Sequence, residues 1–567
     1  MSADVATPSG LSFDLAHEPW IPCIAANGAA GERSLRDVIA CAHEIKEIAD
    51  PSPLVTIALY RFVLAVIHRA LADDNGAPWP RERADCAALW DAGRFPADRI
   101  DAYFDRQSAD HRFDLFGRQA FYQTPTATFA KAPAPIERIV IGDRASNTRP
   151  AIFDKTVRRS LTPAEAARHL VTLHGFALGG LSHVTEGGSG ARGPLAFGAL
   201  FLARSESAAR PETLFATLLS NLVIVDSRGL GSSDQRPAWE RDDAVVTDSA
   251  YVPHGYLDLL THQSRVVQLT PEVALDGTVL VTGVHIGPGR TIAAAHKAAA
   301  NGETVDSRGM AIGELETTMM LRQGEGKPPF RMSMDRAMWS TAHTLYAAAE
   351  TKPSRQLGVV AHVYALEEVI DEFLPDGVVS LEAFGVTLKN GGGAVDGWRR
   401  ERLPLIAPGA NGAARQAARG AVEEAIGEAE RVSDALERQS RTFARDVVTR
   451  GRTDTKAAKQ ANEVVAALGG QRDYWAALAI AFPVFVARLA RAVDDVGDLD
   501  LQAIADDWTR EVHGTATRAF SGVLERLAAD GRHWHARDRP LNTTTLARAE
   551  ARLAFQDALQ AQGAKRR

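Results

Sequence analysis

From Gly409 to Arg450 the chain reads GANGAARQAARGAVEEAIGEAERVSDALERQSRTFARDVVTR. Ala, Arg and Glu dominate, apolar residues return at three- and four-residue steps, and β-branched runs are nearly absent, which is the pattern of a helix. Similar patterns follow at Lys456 to Leu468, Tyr474 to Val496, Leu501 to Ala529 and Thr543 to Gln560, parted by short turns bearing Gly, Asp or Pro. Several such helices in succession predict a C-terminal antiparallel helical (four-helix) bundle over residues 409-567.

Upstream the texture is different. Strand-like runs such as Val266 to Leu269 and Thr278 to Val281 alternate with helical ones such as Pro53 to Leu71 and Pro163 to Ala177. The predicted class is therefore α+β, with a large irregular mixed domain over residues 1-408. Pro404 to Gly412 gathers Pro, Gly and Asn and is the expected boundary. The clusters Gly283 to Gly289, Gly324 to Pro329 and Gly391 to Gly393 read as loop tips.

A chain of 567 residues is too long for one small module, and 45% hydrophobic with 24% charged residues is ordinary globular composition. Apolar stretches such as Tyr474 to Ala487 fall short of the roughly 20 residues that span a bilayer, so no membrane partner is expected. Met1 to Phe13 lacks a basic start and an apolar run, which predicts a cytoplasmic protein. Cys23, Cys41 and Cys86 are too few and scattered for a disulfide framework or a zinc knuckle, so no metal and no cofactor is expected.

Net charge is -7, so nucleic acid could be held only by local patches. Three segments qualify. Glu137 to Ser160 carries Arg138, Arg144, Arg149, Lys155, Arg158 and Arg159 against Glu137, Asp143 and Asp154, a net of +3, with Phe153 among them. Arg can meet phosphate there while the ring stacks on a base; a solvated loop is the competing reading. In the bundle, Arg438, Arg441 and Arg445 share a helical face, and the run continues to Lys459. That stripe either tracks a phosphate backbone or is a wet helix face. Gly188-Ser-Gly-Ala-Arg-Gly193 has the letters of a dinucleotide fingerprint without a preceding strand. What survives is either a flexible turn or a bare backbone able to approach a phosphate chain or a narrow groove, with Arg192 beside it. No zincin, nucleophile-elbow or Walker pattern occurs, and His533 and His535 have no carboxylate pattern near them, so catalysis is not expected.

Several segments in order resemble the large subunit (CasA family) of the type I-E CRISPR Cascade complex. They are Phe13-Asp-Leu-Ala-His-Glu-Pro-Trp-Ile-Pro22 with Ser34-Leu35; Phe113-Asp-Leu-Phe116 with Phe121-Tyr-Gln-Thr-Pro125; and Tyr256-Leu257 with Gln263-Ser-Arg265. Trp339 within Asp335 to Leu345, Gly397-Trp-Arg-Arg-Glu-Arg-Leu-Pro-Leu405, and Tyr474-Trp475 with Phe482 complete the series.

The resemblance implies a non-catalytic subunit that contacts the guide RNA 5′ handle and other Cascade subunits. It would recognise the protospacer-adjacent motif (PAM) in double-stranded target DNA, aid R-loop formation and present the target to a recruited helicase-nuclease; pairing would read the sequence while protein reads the flanking tag. By position, the PAM loop is similar to Gly187, Gly188, Ser189 and Gly190 with Arg192, and the RNA-handle loop to Asn147 through Lys155, including Arg149 and the anchoring Phe153. The strand-separating wedge would be Lys389, Asn390, Gly391, Gly392 and Gly393. Many members carry glutamine where Gly392 stands, so Asn390 or Lys389 would wedge instead, or other subunits would assist. The zinc segment of some members is absent, its place taken by Gly287 to Gly313. Lys327, Arg331 and Arg336 are the candidates for a basic residue inserted into the minor groove, whose readout is degenerate. Two other classes remain: a nucleotide-binding enzyme using the Gly188 to Gly193 loop, and a purely structural adaptor.

Overall fold

The computed structural model describes residues 10–72, 79–127, 129, 132–141, 144–146, 149–150, 159–177, 198–204, 212–224, 235–242, 250–251, 253–292, 319–320, 330–332, 336–342, 358–370, 372–373, 378–389, 394–406, 412–448, 454–494, 501–529 and 555–556. The chain divides into two units. The first comprises Met1–Met332, Ala347–Pro375 and Val379–Arg402; the second comprises Ser333–Tyr346, Asp376–Val378 and Leu403–Arg567.

In the first unit, β1 (Ile21–Ala25), β2 (Ala30–Arg33) and β3 (Ile45–Ile48) form an antiparallel sheet of order β2-β1-β3, with α1 (Leu35–Ala40) between β2 and β3. Next come α2 (Pro53–Ala70), α3 (Arg83–Ala92), α4 (Ala97–Ala109), the short strands β4 (Ala134–Pro135), β5 (Arg144–Ser146) and β6 (Arg149–Pro150), and α5 (Pro163–Phe176). Then follow β7 (Leu200–Arg204), α6 (Leu214–Asn221), β8 (Ala250–Tyr251), α7 (Tyr256–Leu260), the hairpin β9 (Arg265–Val273) and β10 (Val279–Pro288), β11 (Thr291–Ile292) and α8 (Gly358–Glu367). The paired strands β12 (Val378–Lys389) and β13 (Ala394–Ile406) close the unit.

Helix α2 is the central element. It is long and apolar enough to cross a bilayer, and 89% of it is buried within the protein. The stretch Thr455–Ala492 meets the same length and composition test with 39% buried, so the expectation that apolar runs fall short does not hold. For α2 the reason is packing on every side: a helix surrounded by protein has no face left to be polar. Its polar side chains are spent inward. Arg61 donates to the Leu259 and Leu260 carbonyls, and Arg69 pairs with Glu240 at 2.7 Å. Phe62 stands amid Trp20, Phe121, Tyr122 and Trp239, with ring centroids 5.3–6.0 Å away.

The opening segment of the chain is tied to that cluster. Leu15 N donates to Phe113 O and Leu115 N to Phe13 O, both at 3.0 Å, while buried Asp114 accepts from Phe13 N and Phe116 N through Oδ1. Trp20 is fully buried and donates Nε1–H to Leu15 O at 2.9 Å. The signature segments Phe13 to Pro22 and Phe113 to Phe116 are thus a structural clasp.

The cluster Gly283 to Gly289, read as a loop tip, instead lies in β10 as far as Pro288. Glycine serves two other purposes there. At Gly283 the β9 register shifts between Val281 and Gly283, a bulge. At Gly289 a Cβ would fall 2.5 Å from Arg265 N and 2.7 Å from Gln263 O, so only glycine permits the approach.

In the second unit, α9 (Gly412–Val448), α10 (Thr455–Leu468), α11 (Gly470–Asp494) and α12 (Leu501–Ala529) pack on one another. Asp454 caps α10 by accepting from Ala457 N, and Gly469 ends it at φ +68°, a left-handed position that suits glycine. Tyr474 donates to Ala429 O, Trp475 to Ser433 Oγ and Trp508 to Ala425 O, so α9 receives three aromatic donors. The centre of the unit is Trp339, from a 3-10 turn (Met338–Thr341) far upstream, with centroids 5.2 Å from Trp475, 4.6 Å from Phe482 and 5.6 Å from Trp508. The boundary expected at Pro404 to Gly412 is corrected in two ways. Strand β13 runs through Pro404 to Ile406, and the helical unit includes residues 333–346 as well as the chain from Leu403. Thr543 to Gln560 lies outside the described residues apart from 555–556, where Phe555 packs on Phe520 at 4.8 Å.

Candidate nucleic-acid interface

One sheet, of order β13-β12-β7, carries strands that flank the predicted DNA-contacting segments in sequence. Strand β7 runs antiparallel to β12, with Ser380 opposite Arg204 and Phe384 opposite Leu200. The chain therefore enters β7 on the side toward which β12 runs, and from Phe384 that strand continues to Lys389, roughly 17 Å at ~3.4 Å per residue. Strand β13 starts back at Ala394. Thr387 Oγ1 donates to Gly397 O at 3.2 Å, as expected of consecutive antiparallel strands joined by a short connection.

On its other side the start of β7 meets a third passage. Leu200 bridges Met320, Phe201 N donates to Met319 O at 2.7 Å, and Ala199 N donates to Phe330 O at 2.9 Å. Met332 then covers Gly385 of β12, where a Cβ would come within 2.7 Å of its Sδ. Three connections thus have described ends at one end of this sheet: 178–197, 321–329 and 390–393. Gly187, Gly188, Ser189, Gly190 and Arg192 lie in the first, Lys327 in the second, and Asn390, Gly391, Gly392 and Gly393 in the third; all ten are outside the described residues. Lys389 is the last residue of β12, and Arg331 is exposed beside Phe330.

The opposite end of β7 is locked by charge. Arg204 is buried and pairs with Glu382 at 2.6 Å, Glu212 at 2.9 Å and Glu47 at 3.2 Å. Arg400 of β13 joins Glu382 and, at 2.8 Å, Glu47; Arg402 joins Glu212 at 2.9 Å. Three arginines face three carboxylates, so no net charge is buried. Burial pushes the Glu47 carboxyl up, but the Arg400 hydrogen bond and the Arg204, Arg400 and Arg402 charges outweigh it and hold its pKa low. The network fixes β7, β12 and β13 to β3, which carries Glu47. Sequence reasoning missed it because its members are 8 to 353 residues apart.

The predicted RNA-handle segment begins in an antiparallel pair, with Arg144 opposite Pro150 and Ser146 opposite Arg149. Arg149 is described there by backbone alone, and Asn147, Phe153 and Lys155 lie outside the described residues. Nearby, burial lowers the pKa of Arg138, and Arg159 N donates to Glu137 Oε1 at 2.8 Å.

In the helical unit, Arg438 and Arg441 are exposed on α9 and Arg445 is half-buried. Arg441 pairs with Glu437 one turn back. Arg336 is already engaged within its own unit: it pairs with Glu430, donates to Ser340 Oγ at 2.8 Å and lies over the Trp475 ring at 4.8 Å. As a groove-inserting residue it would have to leave three partners.

Among the described residues, no group of three or more His, Cys, Asp or Glu side chains could hold a metal ion. Burial pushes the Cys23 and Cys86 thiols up to about 12, far from nucleophilic character.

The family described as CRISPR-associated protein Cse1 matches residues 14–519. The CRISPR-associated protein CasA/Cse1 of Thermus thermophilus is 28% identical over 533 residues, covering 92% of this chain and 94% of that one. The crystal structure of Thermus thermophilus CasA is 26% identical with a TM-score of 0.70, covering 97% of this chain and 100% of that one. A chain of a CRISPR RNA-guided surveillance complex shares the fold at 18% identity and a TM-score of 0.65, covering 96% of this chain and 99% of that one.

Proposed function

Because the chain belongs to the Cse1 (CasA) family, the large subunit of the type I-E CRISPR Cascade complex, we propose that it is the subunit that senses the PAM in double-stranded DNA. In this reading it works in the cytoplasm as a binding protein and not a catalyst. It joins the other Cascade subunits and the guide RNA 5′ handle, starts R-loop formation, and offers the opened target to a helicase-nuclease. The α9–α12 helices act as the antiparallel four-helix bundle.

The observation that supports the reading is that the start of β7, its partners Met319, Met320 and Phe330, and the turn-back from β12 to β13 all lie toward one end of the β13-β12-β7 sheet. The physical task needs such a convergence. A bare main chain must lie against the shallow minor groove, a cation must neutralise the groove's phosphates, and a projecting tip must stand where the first base pair parts. Residues Gly187 to Gly190, Lys327 and Lys389 to Gly393 supply these three. With Gly392 in place of the glutamine many members carry, that position has no side chain to wedge with, so Lys389 or Asn390 enters the duplex. Each opened step costs about 1.4 kcal/mol, which tight PAM capture must offset.

The test is a band-shift titration of the reconstituted complex on duplexes with and without the PAM selected from a randomised library. Gly188→Trp and Gly190→Trp should weaken capture of the PAM duplex alone. Equal affinity of the unaltered complex for both duplexes would leave a structural adaptor.

A further inference from the structure

We infer that a cleft in the first unit, lined by residues other than those of the β13-β12-β7 sheet, seats one unpaired nucleotide of a single-stranded nucleic acid. The cleft holds about 280 Å³, and Arg112, Arg118, Arg241 and Arg290 line it against a single carboxylate, Asp242. Arg112 pairs with Asp242 at 2.7 Å and Arg241 with buried Asp258 at 3.6 Å, so the excess positive charge at the lining comes from Arg118 and Arg290, in a chain of net charge -7. Arg118 is exposed, and no described residue pairs with it.

A second observation points to a ligand. Thr124 is only 5% exposed and lines the same cleft, yet its Oγ1 has no hydrogen-bond partner among the described residues. A buried hydroxyl without a partner is costly, and an oxygen or ring nitrogen of a bound nucleotide would satisfy it. Gln263 adds an uncharged amide at the wall. That wall is rigid. Gly289 N donates to Ser264 O at 3.1 Å and Arg290 N to Gln263 O at 3.3 Å, in the approach that only Gly289 allows. His262 contacts Arg290 O through Nε2 at 2.9 Å, and the Arg290 guanidinium lies over the Tyr251 ring at 4.4 Å.

The chemistry selects the ligand class. Guanidinium groups suit phosphate, while a hydroxyl and an amide beside an apolar floor of Phe121, Tyr122 and Trp239 suit the edge of a base. A duplex shows its base edges only along its grooves, and a cleft of about 280 Å³ is too small to admit a duplex, so a base seated inside it must come from an unpaired strand. The inference rests on the function proposed above only for the identity of that strand, the guide RNA.

The test uses the full chain and a mixed-sequence single-stranded RNA decamer containing 4-thiouridine. Arg118→Ala removes an exposed side chain and should weaken binding about tenfold, as expected for one lost charged phosphate contact. Ultraviolet crosslinks should fall on peptides spanning 119–126 or 238–242, and Thr124→Val should reduce them. Crosslinks confined to other peptides, or unchanged affinity of Arg118→Ala, would overturn the cleft assignment while PAM-dependent capture by the complex persists. Adenosine monophosphate raising the thermal midpoint of the unaltered chain but not of Arg118→Ala, with no crosslink to the cleft, would assign it to a free nucleotide and overturn the strand.

Discussion

Lowering the pH from 7.5 to 5.5 should bring the first unit close to unfolding. Four of its histidines, His68, His174, His262 and His362, are buried and neutral. Burial depresses their pKa from 6.5 to about 4, and to about 3 for His262. In each ring one nitrogen is bonded to a backbone carbonyl: Trp79 at 2.5 Å for His68, Tyr122 at 2.9 Å for His174, Arg290 at 2.9 Å for His262, and Leu219 for His362. The other nitrogen has no partner among the described residues, so a second proton would place an unsolvated charge in the core. Because the folded pKa values lie below the unfolded one, the unfolded chain binds more protons below pH 6.5. Stability is therefore complete above that value and lost as pH falls toward 4. At pH 5.5 each ring costs about 1.3 kcal/mol relative to pH 7.5, and four together reach roughly 5 kcal/mol, against a typical total of about 5–15 kcal/mol. Asp50, whose pKa burial raises, works the other way but only near its own lower range. Urea unfolding followed by tryptophan fluorescence should show the midpoint falling between the two pH values at unchanged slope. His262→Gln keeps a donor for Arg290 O without the titration and should remove about a quarter of the difference. A change below ~1 kcal/mol between pH 7.5 and 5.5 would refute the argument.

Arg204→Met should destabilise the chain by about 3–5 kcal/mol, because Glu47, Glu212 and Glu382 would be left crowded in the interior; chemical denaturation reads this directly. Gly289→Ala should cost at least ~2 kcal/mol and disturb the 263–290 wall, since a methyl group cannot sit 2.5 Å from Arg265 N. Trp339→Ala should lower the thermal midpoint and cost ~3–5 kcal/mol, the usual range for a large buried ring, and a loss under 1 kcal/mol would contradict its central position. In the assembled complex, Arg438→Glu with Arg441→Glu should reduce the slope of log affinity against log salt by about 2 if α9 lies on DNA, and an unaltered slope would take that helix off the phosphates.

The helical half was legible because a surface helix writes its period into neighbouring residues. Leu501 to Ala529 was expected with the bounds it has, and α10 and α11 within a few residues. Strand β10 was cut short in the sequence because Gly283 and Gly289 carry the usual mark of turns, while their actual causes, a bulge and a close approach, lie in the opposing strand and Arg265. Trp339 could be picked out as unusual but not assigned to the helical unit, since its partners are more than a hundred residues away. The same holds for the Arg204 network. For the candidate interface, sequence supplied the residue types, while the antiparallel register that sets the start of β7 toward the far end of β12, strands some 180 residues apart, could not be read from it.

The indole of Trp339 also decides how the molecule can be dissected. A fragment expressed from residue 409 would contain every long helix of the second unit and still lack the ring around which Trp475, Phe482 and Trp508 gather. Such a fragment would carry an empty slot at its middle, and a peptide copying residues 333–346, added back in trans, is what would fill it.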